Sequence, residues 1–257
     1  MFLADFHTHT NLSDGQIPMR ELVDLHGKKG FGAIAITDHL CESKSILGRA
    51  SRYLNCSLRE DNVQAYLDLI ASEAKRAWQL YEMLLIPGFE ITMNSISNHR
   101  SAHILAIGVN QYINPNQSIP ALCEDIRAKG GLAIAAHPVS TRKLEKQTFH
   151  LWDRREELKN HFDAWEVASG PYIFSEVLES GLPMIASSDM HHKKQLTSWK
   201  TVMRCEKDQA AILQAIRDQN IEFAFYEEKA SAISPRRLKP WSRLGNIFPE
   251  ACPFPVT

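Results

Sequence analysis

Short apolar runs of four to six residues alternate along this chain with longer segments in which apolar residues recur every three or four positions. The first pattern suits strands buried on both faces, and the second suits amphipathic helices. Seven runs qualify as strands, at residues 3–6, 33–37, 84–89, 104–107, 132–136, 164–167 and 184–187. The spacing predicts helices over 18–25, where Pro18 suits a first turn, over 62–81, over 119–129 ahead of Gly130-Gly131, and over 207–218. In the longest, Val63, Tyr66, Leu67, Ile70, Ala74, Ala77, Trp78 and Tyr81 share one face, so its aromatics belong to packing rather than to a ligand site. Strand and helix in alternation predict β-α-β units around a mainly parallel sheet, an α/β barrel at this length.

Periodicity is lost after Tyr226, where proline and basic residues accumulate, Arg236, Arg237, Lys239 and Arg243 among them with Trp241. The expected organisation is a single domain over 1–230 and an irregular tail over 231–257. A chain of 257 residues, 44% hydrophobic, buries a sizeable core without disulfides. The five cysteines are scattered and never form a C-x-x-C pair, which argues against a disulfide framework or a thiolate zinc site. A formal net charge of −1 lacks the positive field of an obligate duplex-DNA binder. No apolar run approaches membrane-spanning length and Met1–Thr10 lacks a signal-like pattern, so a cytoplasmic protein with no membrane partner is expected.

Histidines and carboxylates change the picture by where they fall. Five of the seven expected strands end in one, and a sixth has a histidine at its start. In parallel α/β barrels the C-terminal strand ends converge on one pocket. His7 and His9 are two apart on an extended segment and point the same way, so they can share a metal ion. Ser13-Asp14-Gly15 is a turn able to fold Asp14 back over that pocket, although a solvated turn aspartate is the plainer reading of it alone. A second strand runs into Asp38-His39, a third into Glu90, a fifth into His137, and the last into Asp189-Met190-His191. His103 precedes the fourth, with His99 as a nearby competitor, and Glu166 lies within the sixth as an acceptor or ion-pair partner. His26, His150, His161 and His192 receive no role.

Taken in order, His7-Thr8-His9, Ser13-Asp14-Gly15, Ile36-Thr37-Asp38-His39, Pro87-Gly88-Phe89-Glu90, Ala136-His137-Pro138 and Ser188-Asp189-Met190-His191 closely resemble the polymerase-and-histidinol-phosphatase (PHP) superfamily. The resemblance implies a distorted (β/α)7 TIM-like barrel with a trinuclear site. By matched position, His7, His9, Glu90 and Asp189 would hold one ion, Glu90 with His103 and His137 a second, and Asp14, His39 and His191 a third. Asp38 is expected to orient a ligating histidine by accepting its free N–H. Imidazole and carboxylate ligands without thiolate suit two or three Zn²⁺, Mn²⁺ or Fe²⁺ ions.

The chemistry expected of such a site is hydrolysis of phosphate monoesters, on a small molecule or a nucleotide, by a hydroxide bridging two ions. Arg142 and Lys143, just after His137-Pro138, are the nearest cations by sequence for the substrate phosphate, followed by Lys193 and Lys194, though solvated loop cations are an equal reading. Trimming of DNA or RNA ends by the same metals is the alternative, with only the basic tail in its favour. Hydrolysis of a C–N bond and a non-catalytic module fit less well, the first because of the Thr37-Asp38-His39 and Asp189-x-His191 pairs, the second because the ligand set is complete. Oligomeric state is not legible.

Overall fold

The computed structural model describes residues 1–53, 56–139, 148–227 and the backbone at 237–238. Its elements run β1 (Phe2–Asp5), α1 (Met19–Lys28), β2 (Ala33–Ile36), β3 (His39–Cys41), α2 (Ile46–Tyr53), α3 (Glu60–Tyr81), β4 (Leu84–Met93), β5 (Ala102–Ile107), α4 (Ile119–Ala128), β6 (Leu132–Ala135), the single turns α5 (His150–Asp153) and α6 (Arg155–Leu158), β7 (Ala164–Ser169), β8 (Tyr172–Ile173), α7 (Ser175–Leu178), β9 (Met184–Ser187), β10 (Ser198–Met203), α8 (Gln209–Arg217), β11 (Ile221–Tyr226) and β12 (Arg237–Leu238). All seven expected strands form, as β1, β2, β4, β5, β6, β7 and β9, and they follow one another around one sheet. Residues of β2, β6 and β7 are buried throughout, as the unbroken apolar runs of β2 and β6 require; in β7 the buried residues include Glu166 and Ser169. Helix α3 lies on β4 and α1, and α4 lies on β6.

The sheet is mixed and curls into a half-barrel rather than closing as a regular (β/α)7 barrel. Strand β5 runs antiparallel to both β4 and β6. The reason is length: only residues 94–101 join β4 to β5, too short for the helical crossover of a dozen or so residues that parallel neighbours need. Two further strands, β10 and β11, form an antiparallel pair on the far side of β1, where β10 is antiparallel to it and α8 joins the two. The 198–203 segment carries no apolar signature because a lysine, Lys200, sits in its middle and is fully buried. Part of the expected tail is regular, since Arg237–Leu238 pairs with β11; the rest of it lies outside the described residues.

Strand β9 has a ladder with β7. Towards β10 it is joined by the Thr201 hydroxyl, which donates to Ala186 O at 2.8 Å and accepts from Ala186 N at 3.3 Å. Backbone contact with the β1 side comes only past the strand ends, where Met190 N donates to His7 O (3.2 Å) and His9 N to Met190 O (2.8 Å). No described helix is long and apolar enough to cross a membrane.

Candidate metal centre

The site lies where these strands end. Past Asp5 the β1 chain continues extended, because Thr8 ties it to β2: its N–H donates to Thr37 Oγ1 (3.1 Å) and its hydroxyl to Ala35 O (2.7 Å). That extension turns the fully buried His7 and His9 rings towards one point. Glu90 is inside β4, opposite His39 in the β3 register and two pairs away from the Thr92–His103 pairing with β5, so the Glu90 and His103 side chains project from the same face of the sheet. An antiparallel β5 begins where its neighbours end, which is why His103 enters the site from a strand start. The turn that returns Asp14 depends on Gly15, where an added Cβ would lie 2.6 Å from the His9 carbonyl.

The spacing of donor atoms is that of metal ligands. His7 Nε2 and His9 Nε2 each lie 3.2 Å from Glu90 Oε2, and 3.3 and 3.4 Å from Asp189 Oδ1. Ligands about 2.0–2.1 Å from a tetrahedral Zn²⁺ stand about 3.3 Å from one another. His7 Nε2, both ring nitrogens of His9 and Glu90 Oε2 are buried without a hydrogen-bond partner among the described residues, a costly arrangement unless a cation fills the gap. The other Glu90 oxygen, Oε1, faces His103 Nδ1 (2.8 Å) and His137 Nε2 (3.2 Å). Asp14 meets His39 Nε2 through Oδ2 (3.3 Å) and His191 Nε2 through Oδ1 (3.4 Å). Among the described residues two four-residue groups are compact enough to hold an ion, His9, Asp14, His39 and His191, and His7, Glu90, His137 and Asp189. His103 abuts the second through Glu90 without joining either.

The far nitrogen of most rings is held in place. Glu166 Oε1 accepts from His7 Nδ1 at 2.9 Å, while its Oε2 accepts the His137 backbone N–H at 2.7 Å. Thr92 Oγ1 lies 2.7 Å from His39 Nδ1, Thr148 Oγ1 3.2 Å from His137 Nδ1, and Asp189 O 3.0 Å from His191 Nδ1. Such contacts fix tautomer and ring angle. The two threonines are invisible in a sequence search for metal-binding types, because hydroxyls carry no such signature.

Asp38 takes a different position from the one expected. Its carboxylate accepts Thr10 N (2.8 Å), Thr10 Oγ1 (2.8 Å) and Ser13 Oγ (2.6 Å), and among the described residues no histidine ring. It shapes the loop that carries Asp14. His99 is excluded from the cluster, being exposed and paired with Asp153 at 2.6 Å. Arg142 and Lys143 lie outside the described residues. Lys193 pairs with Glu21 at 3.3 Å, and with Gln16, Ile17, His192 and Lys194 it lines a hollow of about 420 Å³. A second hollow, of about 410 Å³, is walled by Lys44, Asn94 and Arg100, and Asn94 Oδ1 approaches His103 Nε2 at 3.4 Å.

Electrostatics bind the cluster together. Burial disfavours charge on His7, but Glu166, Glu90 and Asp189 outweigh it and hold its pKa well above the ordinary imidazole value. Burial is likewise overcome at His9, His39, His137 and His191, each raised by neighbouring carboxylates. At His103 burial prevails over Glu90 and the value falls. Burial would raise Glu90, yet His39, His7 and His103 keep it well below the carboxylate range. Without metal, protons on the imidazoles balance the carboxylates; a divalent cation can take their place.

A family model of the PHP domain matches residues 5–204. This chain belongs to the PHP family. The PHP fold is also that of a two-domain protein from Bacteroides vulgatus containing a predicted PHP-like metal-dependent phosphoesterase, 22% identical with a TM-score of 0.64 over 88% of this chain and 65% of that one. The PHP chain therefore spans less than two thirds of that protein. An amidohydrolase from Chromobacterium violaceum, solved with sulfate and no metal, is 14% identical with a TM-score of 0.52, covering 85% of this chain and 96% of the other. No curated protein matches this PHP chain.

Proposed function

We propose that this PHP protein is a hydrolase of phosphate monoesters, acting on a small molecule or nucleotide with two or three divalent ions. The observation that carries the reading is Glu90, one oxygen of which faces His7 and His9 while the other faces His103 and His137. That geometry supports a carboxylate bridging two ions. His7, His9, Glu90 and Asp189 would hold one ion, Glu90, His103 and His137 the next, and Asp14, His39 and His191 the third. Nitrogen and oxygen donors without sulfur suit Zn²⁺, Mn²⁺ or Fe²⁺.

When bound, such ions supply Lewis acidity, lowering the pKa of water and offsetting charge on phosphoryl oxygens. The protein's own residues do the rest. Glu166, Thr92 and Thr148 keep the imidazole faces aimed inward, and Asp38 holds the Asp14 loop over the pocket. Lys44 and Arg100, in the hollow that Asn94 connects to His103, would meet the anionic part of a substrate. Arg142 and Lys143, which follow His137 in the sequence, would serve the same purpose.

The test is hydrolysis by protein reconstituted with Mn²⁺, Zn²⁺ or Fe²⁺, on monoesters set against diesters, short oligonucleotides and amides, with His9→Ala as control. Metal-dependent monoester turnover that the substitution abolishes is the expected result. Cleavage of oligonucleotides alone would replace this reading with a nuclease, and amide turnover alone with C–N hydrolysis.

A further inference from the structure

Behind the metal ligands lies a second polar cluster that the proposed chemistry does not use. Lys200 of β10 is fully buried, and its Nζ donates to Asp5 Oδ2 and to Ser198 Oγ, both at 2.7 Å. Asp5, also fully buried, accepts the Ser188 N–H on Oδ1 (3.0 Å) and the Ser188 hydroxyl on Oδ2 (2.6 Å). Ser198 Oγ donates in turn to Gln195 O (2.7 Å), and Gln195 Oε1 accepts the backbone N–H groups of His191 (2.7 Å) and His192 (3.0 Å).

The pair therefore grips both ends of residues 188–198, the segment that carries Asp189 and His191. Ser188 is fastened to Asp5, and Ser198 to Lys200. Past the strand ends Met190 is backbone-bonded to His7 and His9, but β9 itself has no ladder to β1 among the described residues, and the clasp adds side-chain ties at both ends of the segment. Asp189 sits immediately after the fastened Ser188 with φ of 52°, a left-handed backbone that persists only when its surroundings fix it. An ammonium in an apolar wall beside the Phe31 ring is an expensive way to fill a core, and a leucine would pack there more cheaply.

We infer that the buried Asp5–Lys200 pair is a positioning device, a clasp that sets Asp189 and His191 against His7 and His9 and so determines how tightly the site holds a divalent cation. The inference rests on the metal reading above, and its test separates the two. Ser188→Ala removes the hydroxyl that reaches Asp5 Oδ2 at 2.6 Å and His7 O at 3.2 Å and leaves the ion pair; Lys200→Met removes the ammonium at similar volume. Zn²⁺ affinity is measured by chelator competition on protein shown to be folded, and amide exchange is followed across the sheet.

Supporting residues around metal ligands typically govern affinity by about 10–100-fold, so Ser188→Ala should weaken Zn²⁺ binding by about tenfold while its Tm stays near the parent's. Lys200→Met should accelerate exchange at Ser188, Met190, His191 and His192 beyond any change in the rest of the sheet. Parental Zn²⁺ affinity in Ser188→Ala, or exchange that quickens uniformly, would overturn the inference and leave the pair a plain core contact. Were Lys200→Met not to fold, exchange in Ser188→Ala at the same amides decides. If the parent itself takes up no Zn²⁺, Mn²⁺ or Fe²⁺, the metal reading fails, and the exchange comparison still settles whether the clasp orders this segment.

Discussion

His7 Nδ1 stands 2.9 Å from Glu166 Oε1, both groups fully buried, so a carboxylate in the middle of β7 fixes which face of the His7 ring looks into the cluster. Glu166→Ala leaves that ring free to turn and removes the acceptor for the His137 N–H. Metal affinity should fall by about 10–100-fold. Glu166→Gln keeps an acceptor oxygen, and should lose less. Chelator competition on the two variants orders them; equal losses would point to charge rather than orientation.

Metal-free protein should be less stable at pH 8.5 than at pH 6. His7, His9, His39, His137 and His191 all have raised pKa values in the fold. A group that holds its proton more tightly when folded stabilises the fold below its unfolded pKa, about 6.5 for histidine, and that contribution is lost as pH climbs through the folded value. His103 is lowered and works in the opposite sense, one group against five. Melting curves of chelated protein test the slope. Saturating Zn²⁺ should flatten or reverse it, because ligation requires deprotonated rings.

Asp38→Ala should release the Thr10–Ser13 loop and with it Asp14, whose two oxygens face His39 and His191. The expected outcome is loss of about one equivalent of bound metal, read by elemental analysis, while the ions held by Glu90 remain. Full retention would mean that the loop keeps its shape without the carboxylate.

Tyr66→Phe separates stability from the site. The hydroxyl lies 3.1 Å from Ile36 O and 3.0 Å from Gly88 O and accepts Asp38 N–H at 3.3 Å, joining β2 and β4 beneath the cluster. Removing it strands buried backbone groups at a cost of about 1–3 kcal/mol, which chemical denaturation would detect. Zn²⁺ affinity should change little.

Much of this was legible from residues alone because buried strands must be apolar, so a charged residue at the end of one stands out. His7, His9, His39, Glu90, His137, Asp189 and His191 are all brought into the pocket that their strand-end positions suggested. His103 carried a further message, since a histidine at the start rather than the end of a strand is what an antiparallel β5 requires. Lys200 hid β10, because a buried ammonium breaks the apolar run by which strands are recognised. Asp38 misled for a related reason: a carboxylate next to a histidine in sequence points to the opposite side of an extended chain, and its partners, Thr10 and Ser13, come from a turn whose geometry the sequence does not specify.

His137 and Asp189 share a property with consequences for the protein's history. Both have positive φ, 26° and 52°, as do only two other non-glycine residues among those described, Glu82 and Gln219. Such backbones cost about 1–3 kcal/mol each at functional positions. Glycine at either place would relax the chain while deleting a donor, so these are positions where folding and the donor cluster want different residues. A lineage selected for heat resistance alone would drift away from them first, and a thermostable descendant that kept both would reveal that its chemistry was still under selection.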